Sequence, residues 1–371
     1  MTKKQKADLL SAGSPAQTEH APAAPNEPSA KDVKMDFSGG LAGFLAAQGV
    51  AMAFTSYQSG KLYLVGHGPK GDLALHIAQY PQAMGVLGNA NRLYLGTLTQ
   101  LVRFENVLGH DQIANGQHDK VYVPRNLQTF GNIDFHEMGV QANGVVVVVN
   151  TKFNCLCEPS ITHSFKPIWK PPFISRIAPE DRCHLNGLAM VDGKPGYVTA
   201  VCRSDVVDGW RDRRADGGLI IDVTTDRIVS EGLSMPHSPR WHNGRLWVLN
   251  SGSGELGWVD IDNGKFNPLA FLPGFLRGLT IFGDYAVVGL SKPRYNRFTG
   301  LELDKKLKEK DADAWCGLQI VSLKTGDVVQ WLRLEGGIQE LFDVCILAGV
   351  KNPITIGLES PELRDFITIE Q

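Results

Sequence analysis

The sequence predicts an all-β fold, a six-bladed β-propeller, on three observations. A hairpin unit recurs along the 371 residues at a spacing of about 50, and each chain end holds an incomplete unit. Forty glycines and 20 prolines, spread along the chain, favour many short strands over long helices.

The recurring unit is a strand, a tight turn of Asn, Asp and Gly, and a very apolar second strand. Five copies begin near residues 84, 136, 185, 237 and 277. Asn-Gly and Asp-Gly turns are strong hairpin signals, because both central positions must accept a positive φ. Residues 256–266 and 318–328 then share a further pattern of strand, Gly-containing turn and strand. Four antiparallel strands at this spacing are typical of one propeller blade.

The two chain ends together supply one more blade. A sixth unit begins at Ile338 but reaches the end of the chain without its outer strands, whereas residues 54–65 resemble the second and third strands at 248–259. We therefore expect N- and C-terminal strands to close the ring, which leaves few open sheet edges. Seven blades are the alternative, if residues 338–371 form a blade of their own.

Composition divides the chain into a tail and one domain. Residues 1–35 are rich in Ala, Pro, Ser, Lys and Glu, which predicts a disordered tail, and residues 36–371 are expected to form a single propeller domain. Residues 41–48 are expected to form a short helix of one or two turns. The charged stretch 301–313 is expected to be a loop or helix inserted within one blade, either a lid or an ordinary excursion.

Charge and hydropathy restrict the partners. With 37 basic against 39 acidic residues, a surface for nucleic acid or anionic membrane is not expected. No apolar run approaches the roughly 18 residues of a membrane helix, and the start lacks the apolar core of a signal peptide. We expect a cytoplasmic protein whose six cysteines are ordinary reduced thiols.

Two stretches resemble a known family. Ser234-Met-Pro-His-Ser-Pro-Arg240 leads into 246–256, and Phe271-Leu-Pro-Gly-Phe-Leu-Arg-Gly-Leu279 leads into 286–294. Both resemble an uncharacterised bacterial β-propeller family, known as a domain of unknown function, over about residues 45–358. This resemblance implies the fold and no activity.

A weaker resemblance is to the gluconolactonase and senescence-marker type of six-bladed propeller. The stretch His184-Leu-Asn-Gly-Leu is similar to the Pro-Asn-Gly-Leu motif of those proteins. It implies a metal on the channel axis with Asn186 among its ligands. Several of the corresponding inner positions in this chain are His rather than Asp.

The first strand of every blade lines the central channel, so residues about 50 apart converge there. Aligning the hairpins places six residues in one ring: Met84, Glu137, Asn186, His237, Arg277 and Glu340. His136 and His184 lie one or two positions away. Three histidines, His136, His184 and His237, predict a divalent metal site, in which Zn, Fe, Cu and Ca are not distinguished. Alternatively, each His closes the channel through hydrogen bonds, and a slip of one residue would reverse a side chain.

Basic residues form a second group around the channel. Arg240 and Arg277 lie on inner strands, whereas Arg203, Lys292 and Arg294 follow second strands. Guanidinium groups pair well with carboxylate or phosphate, which favours an anionic small molecule in the channel. The alternative is that these cations pair with acidic residues, Asp343 among them, across the blades.

These predictions combine into one leading hypothesis, a metal-dependent hydrolase or lyase acting on a small anionic or polar metabolite. Glu137 or Glu340 would move a proton. The predicted substrate-binding residues are Arg240, Arg277, Asn186, Arg203, Lys292 and Arg294. The alternatives are a non-catalytic propeller that binds a partner protein, and an oxidation enzyme with His-ligated iron or copper.

Overall fold

Six sheets, antiparallel except for one added strand, surround a central channel in the computed structural model, which describes residues 33–293 and 298–370. Each sheet is one blade, and its inner strand lines the channel. The predicted six-bladed propeller is therefore confirmed.

Blades 2 to 6 each use four consecutive strands, which follow one another from the channel outward. Blade 2 contains β5 (Val86–Gly88), β6 (Arg92–Gly96), β7 (Gln100–Asn106) and β8 (Lys120–Thr129). Blade 3 contains β9 (Phe135–Val140), β10 (Val146–Asn150), β11 (Cys155–Glu158) and β12 (Lys166–Trp169). Blade 4 contains β13 (Leu185–Val191), β14 (Lys194–Ala200), β15 (Gly218–Asp222) and β16 (Ile228–Leu233). Blade 5 contains β17 (Pro236–His242), β18 (Arg245–Asn250), β19 (Glu255–Val259) and β20 (Phe266–Phe271). Blade 6 contains β21 (Phe275–Phe282), β22 (Tyr285–Ser291), β23 (Cys316–Ser322) and β24 (Val328–Glu335).

Blade 1 combines the two ends of the chain, as the sequence predicts. Its inner strand is β25 (Val344–Ala348), followed by β2 (Val50–Ser56), β3 (Lys61–His67) and β4 (Leu73–Gln79). β25 pairs with β2 in an unbroken antiparallel register from Val50↔Ala348 to Phe54↔Val344. The following strand, β26 (Pro353–Thr355), pairs in parallel with β8 of blade 2. Residues 338–370 therefore do not form a seventh blade.

A short strand at the N-terminal side extends blade 6. This strand, β1 (Lys34–Phe37), pairs with β24 in the register Lys34↔Glu335 to Phe37↔Leu332. Lys34 and Met35, which the sequence analysis assigns to the tail, are thus part of a sheet. The predicted disorder of residues 1–32 lies outside the described residues.

Two eight-residue helices lie where the sequence predicts them. α1 (Leu41–Gln48) packs its buried Leu41 and Leu45 on blades 1 and 6, and α2 (Glu302–Glu309) lies between β22 and β23. In the part of the chain that the structure describes, 3-10 turns span Arg211–Arg213, Ser251–Ser253 and Pro361–Arg364. Within the described ranges, neither helix approaches the length and apolarity that crossing a membrane requires.

The core lies between neighbouring blades. Between blades 6 and 1, for example, Phe54 and Tyr63 stack at 4.6 Å and pack with Leu318 and Ile320 in a cluster whose side chains are almost fully buried. Each blade buries both of its faces, which is why a second strand such as Val146–Asn150 is apolar up to its last residue.

Bulges in the inner strands set the register at the channel mouth. β9, β17 and β21 each shift register near their beginnings. Because Phe135 pairs with Asn150 as Pro236 pairs with Asn250, His136 is the structural counterpart of His237. The hairpin alignment, which matched Glu137 to His237, is therefore wrong by one residue. Bulges re-aim side chains in this way beside functional sites.

Candidate functional site

A cavity of about 750 Å³ opens at the mouth where the inner strands begin. Seven predicted residues line it: Met84, His136, His184, His237, Arg277, Lys292 and Glu340. Four others do not: Glu137, Asn186, Arg203 and Arg240. Arg294 lies outside the described residues.

His136 is held as a neutral imidazole at the cavity floor. Its Nδ1 lies 2.7 Å from the Thr151 hydroxyl and 3.2 Å from the carbonyl oxygen of Asp134. Thr151 itself donates to a carbonyl oxygen, so Nδ1 donates and Nε2 keeps its lone pair. Nε2 accepts a hydrogen bond from Arg277 at 2.8 Å. Burial and the charge of Arg277 hold the pKa of His136 well below its usual value, so His136 orients Arg277.

His237 has the same arrangement two blades further along the chain, in blade 5. Its Nδ1 donates to the carbonyl oxygen of Met235 at 2.9 Å, with the Ser251 hydroxyl at 3.3 Å. Met235, like Asp134 in blade 3, has a positive φ (44° and 52°) that turns its carbonyl toward the ring. Burial, then Arg277, lowers the pKa of His237 well below its usual value. The ring is therefore neutral with its lone pair on Nε2, and an anion bound to Arg277 would offset one cause of its lowered basicity.

Three side chains of the kinds that bind metals converge beside His136. Asp134, Asp181 and His184 each offer a ligand atom, and the three atoms lie within 4.8 Å of one another. Nδ1 of His184 is 2.8 Å from Oδ2 of Asp181, whereas the other oxygen, Oδ1, is buried and has no hydrogen-bond partner in the described part of the chain. Burial raises the pKa of Asp134, against the opposing charges of His184 and Arg277.

Aromatic rings fix the orientation of His184. Trp210, only 9% exposed, stacks on its imidazole at 4.2 Å and 27°. His136 meets the imidazole edge-on at 5.1 Å and 86°. Ring placement of this kind restricts the direction in which a nitrogen lone pair can point.

A buried arginine braces the segment that carries Asp181 and His184. Arg182 donates from Nε to Glu180 at 2.7 Å, and from Nη1 to Ser175 at 2.9 Å and to Asp205. Backbone bonds add to this brace, from Asp181 N–H to Lys152 and from Cys183 N–H to the side chain of Asn154, each 3.0 Å. Residues 180–184 are therefore held on both sides.

One part of the cavity wall is cationic. The Arg277 guanidinium lies 3.9 Å from the ring centroid of Phe342 and 6.0 Å from that of Tyr57. Lys292 lines the same wall, and the buried Glu340 lies near it. Of the predicted substrate-binding residues, Arg277 and Lys292 are thus in the cavity.

Glu137 and Arg240 lie outside this cavity, and Arg240 lines a second cavity of about 460 Å³. Arg240 donates to Glu137 at 3.0 Å and to the carbonyl oxygen of Leu279 at 2.7 Å, and it lies 3.8 Å from Asp343. Glu137 also accepts from the Leu188 N–H at 2.9 Å. Neither residue lines the cavity with the histidines, and each offsets the charge of the other, so the roles of Glu137 in catalysis and Arg240 in substrate binding stay predictions. The alternative of pairing across blades is the one observed for Arg240.

Two other predicted residues have different surroundings from those expected. Asn186 is 1% exposed, and its Oδ1 accepts from the Thr199 hydroxyl at 2.6 Å. It therefore does not present the ligand that the gluconolactonase resemblance implies. Arg203 is exposed and lies outside the cavity lining.

Sequence reasoning did not identify Asp134, Asp181 or Trp210 as site residues. The two acids precede inner strands, two residues before His136 and three before His184. A search extended upstream of each inner strand would have found them. Trp210 has no such signal, because its loop enters the site from between β14 and β15.

The cysteines are buried and unbridged, as expected. Burial raises the pKa of Cys202 to about 11 and that of Cys316 to about 12. Protonated thiols are poor nucleophiles and poor metal ligands.

The family model described as "Domain of unknown function (DUF4915)" matches residues 39–356. The chain belongs to this family. None of the curated proteins matches the chain. A chain from "Crystal structure of Nidogen/Laminin Complex" is similar at 9% identity and TM-score 0.51, covering 81% of this DUF4915 chain and 99% of its own length. A protein of unknown function from Bacteroides caccae is 8% identical with TM-score 0.44, covering 80% and 98%. At 9% identity, the nidogen/laminin similarity supports the fold alone.

Proposed function

We propose that this protein is a metal-dependent hydrolase or lyase that acts on a small anionic metabolite in the cavity. A divalent cation would be bound by Asp134, Asp181 and His184. The observation that carries this proposal is the convergence of these three side chains in an open cavity, together with the unpartnered buried oxygen of Asp181. Buried polar atoms are rarely without a partner, and a cation would supply one.

The donor set fits a divalent transition metal. Two carboxylates and one imidazole suit ions such as Zn²⁺, Mn²⁺ or Fe²⁺. When bound, such an ion polarises a substrate oxygen or lowers the pKa of a water molecule.

The surrounding residues have separable roles in this proposal. His237 accepts a proton at Nε2, since Nδ1 is committed to Met235. Arg277 binds an oxyanion of the substrate, and His136 holds the guanidinium in place for it. His237 thus takes the proton-transfer role that the sequence predicts for Glu137 or Glu340.

The ligand geometry favours this proposal over the alternatives. A His-ligated iron or copper centre would need several imidazoles, but Nε2 of His136 already accepts from Arg277 and His237 lies outside the ligand group. A binding scaffold needs no converging His, Asp and Arg side chains beneath an open mouth. Binding of a partner protein and a cytoplasmic location stay predictions.

The proposal is tested by measuring turnover of a panel of small phosphate esters, lactones and carboxylic esters. The protein is assayed after a chelator has removed its metal, and again after reloading with Zn²⁺, Mn²⁺ or Fe²⁺. We expect activity only after reloading. His237→Ala should lower the rate about 10²- to 10⁴-fold and still bind metal, because losing a general base slows proton transfer. His242→Ala is the matched control, since that imidazole lies on the same strand but bonds to Gly283 away from the cavity. Full activity in chelated protein or in His237→Ala would contradict the proposal.

A further inference from the structure

We infer that the substrate carries two anionic groups, one bound deep in the cavity by Arg277 and Lys292 and the other bound at its rim by Arg211 and Arg214. This inference rests on the proposed function and specifies its substrate class. The shared chemistry is that of a two-headed oxyanion, either a bisphosphate or a dicarboxylate.

The rim arginines belong to the turn that follows Trp210. Arg211 and Arg214 line the cavity, whereas Arg213 between them does not. Nε of Arg214 donates to the carbonyl oxygen of Arg211 at 3.0 Å, which holds this side chain against the turn. The Arg211 guanidinium lies 4.6 Å from the indole of Trp210.

The same indole connects the rim to the metal-binding group. Trp210 has Arg211 near its ring and stacks on His184 at 4.2 Å. Guanidinium, indole and imidazole thus form one column from the rim to the proposed ion. An anionic group bound at the rim is therefore close to the metal-binding group, so one ligand can contact both.

The charge balance of the lining calls for more than one negative group. Asp134 and Asp181 offset the charge of a divalent ion. The rest of the described lining carries four cations, Arg211, Arg214, Arg277 and Lys292, against the single carboxylate of Glu340. Glu340, together with Asp208 beside Arg211, offsets two of these positive charges, so the remaining charge of two matches a substrate with two negative groups.

One existing contact competes with the rim site. Arg211 pairs with Asp208 at 3.2 Å, and both side chains are more than half exposed. Exposed ion pairs of this kind are weak, so an arriving anion can replace Asp208. The volume of about 750 Å³ leaves room for a ligand that reaches both cationic groups.

The test compares two matched pairs of probes by calorimetric titration of the metal-loaded protein. Fructose 1,6-bisphosphate is compared with fructose 6-phosphate, and adipate with hexanoate. We expect the two-headed member of at least one pair to bind about tenfold more tightly than its one-headed partner, since each added charge-assisted contact contributes on that order. R211Q/R214Q should remove this preference and retain the metal. Arg213→Gln, an exposed neighbour outside the lining, should keep the preference.

The outcomes distinguish phosphoryl groups from carboxylates, and they distinguish failure of this inference from failure of the proposed function. A preference in the phosphate pair alone identifies phosphoryl groups, and one in the adipate pair alone identifies carboxylates. Equal binding within both pairs, or an undiminished preference in R211Q/R214Q with the metal retained, would overturn the two-headed substrate and leave the metal proposal intact. Failure of the wild type to hold any ion would instead overturn the proposed function.

Discussion

The deepest buried charges of the channel predict an unusual dependence of stability on pH. Burial, and then the charge of Glu137, raises the pKa of Asp343 to about 7, although Arg240 opposes the shift. The ordinary value is 3.8, so the difference is about 3 pH units, which corresponds to about 4 kcal/mol. Because the folded state binds this proton more tightly than the unfolded state, stability is lost as the pH rises from about 4 to about 7.

Asp343→Asn should remove this dependence. The carboxylate accepts from the N–H groups of Val86 (2.9 Å) and Val344 (2.8 Å), whereas an amide offers one oxygen. This loss costs about 1–3 kcal/mol and varies little with pH. Urea unfolding between pH 4 and 8.5 should therefore show the wild type losing up to about 4 kcal/mol relative to the variant as the pH rises.

Asp119→Asn is the matched control. Asp119 also accepts from two backbone N–H groups, those of Lys351 (3.0 Å) and Asn352 (2.7 Å), but it lies outside the channel. This variant should remain parallel to the wild type across the pH range. A difference between wild type and Asp343→Asn that stays constant with pH would refute the reasoning.

Three further predictions concern the ligand segment, the ligand charges and the ring edge. Arg182→Met should weaken Mn²⁺ binding about tenfold or more, because residues 180–184 lose their brace. Arg176→Met, which removes an exposed partner of Glu180, should leave the affinity unchanged. Competition with a fluorescent chelator measures both affinities, and equal values for the two variants would count against the brace. The affinity for Mn²⁺ should fall as the pH is lowered toward 4, because burial raises the pKa of Asp134 above its usual value and protons then compete with the ion. An affinity that stays constant from pH 7.5 to 4 would argue against this ligand. Deleting residues 1–37 should lower the melting temperature by a few degrees compared with deleting residues 1–32, because only the longer deletion removes β1, which pairs with β24. Identical melting curves for the two deletions would contradict a stabilising role of β1.

The fold was predictable because its signals are local and repeated. Turns such as Asn243-Gly244 and Asp192-Gly193 mark the hairpins, and both members of each pair have positive φ. The ring closure followed from two incomplete units that complement each other. The pairing of β26 with blade 2 was not predictable, because three residues at a sheet edge leave no pattern.

The site was predictable only in part, because local register decides it. His237 and Arg277 were placed correctly at the channel mouth, since inner strands begin there in every blade. A bulge in β9 puts His136 at the position expected for Glu137. The role of Asp181 depends on the brace by Arg182, a contact between loops that no spacing rule describes.

The central claim is that Asp134, Asp181 and His184 bind one divalent cation, and equilibrium dialysis followed by elemental analysis tests it most directly. Chelated protein is dialysed against Zn²⁺ or Mn²⁺, as wild type, as Asp181→Asn and as Asp208→Asn, an exposed acid outside the cavity lining. We expect about one ion per chain in the wild type and in Asp208→Asn, and almost none in Asp181→Asn, because losing one of three ligands weakens binding steeply. No ion in the wild type, or an equal content in Asp181→Asn, would contradict the claim.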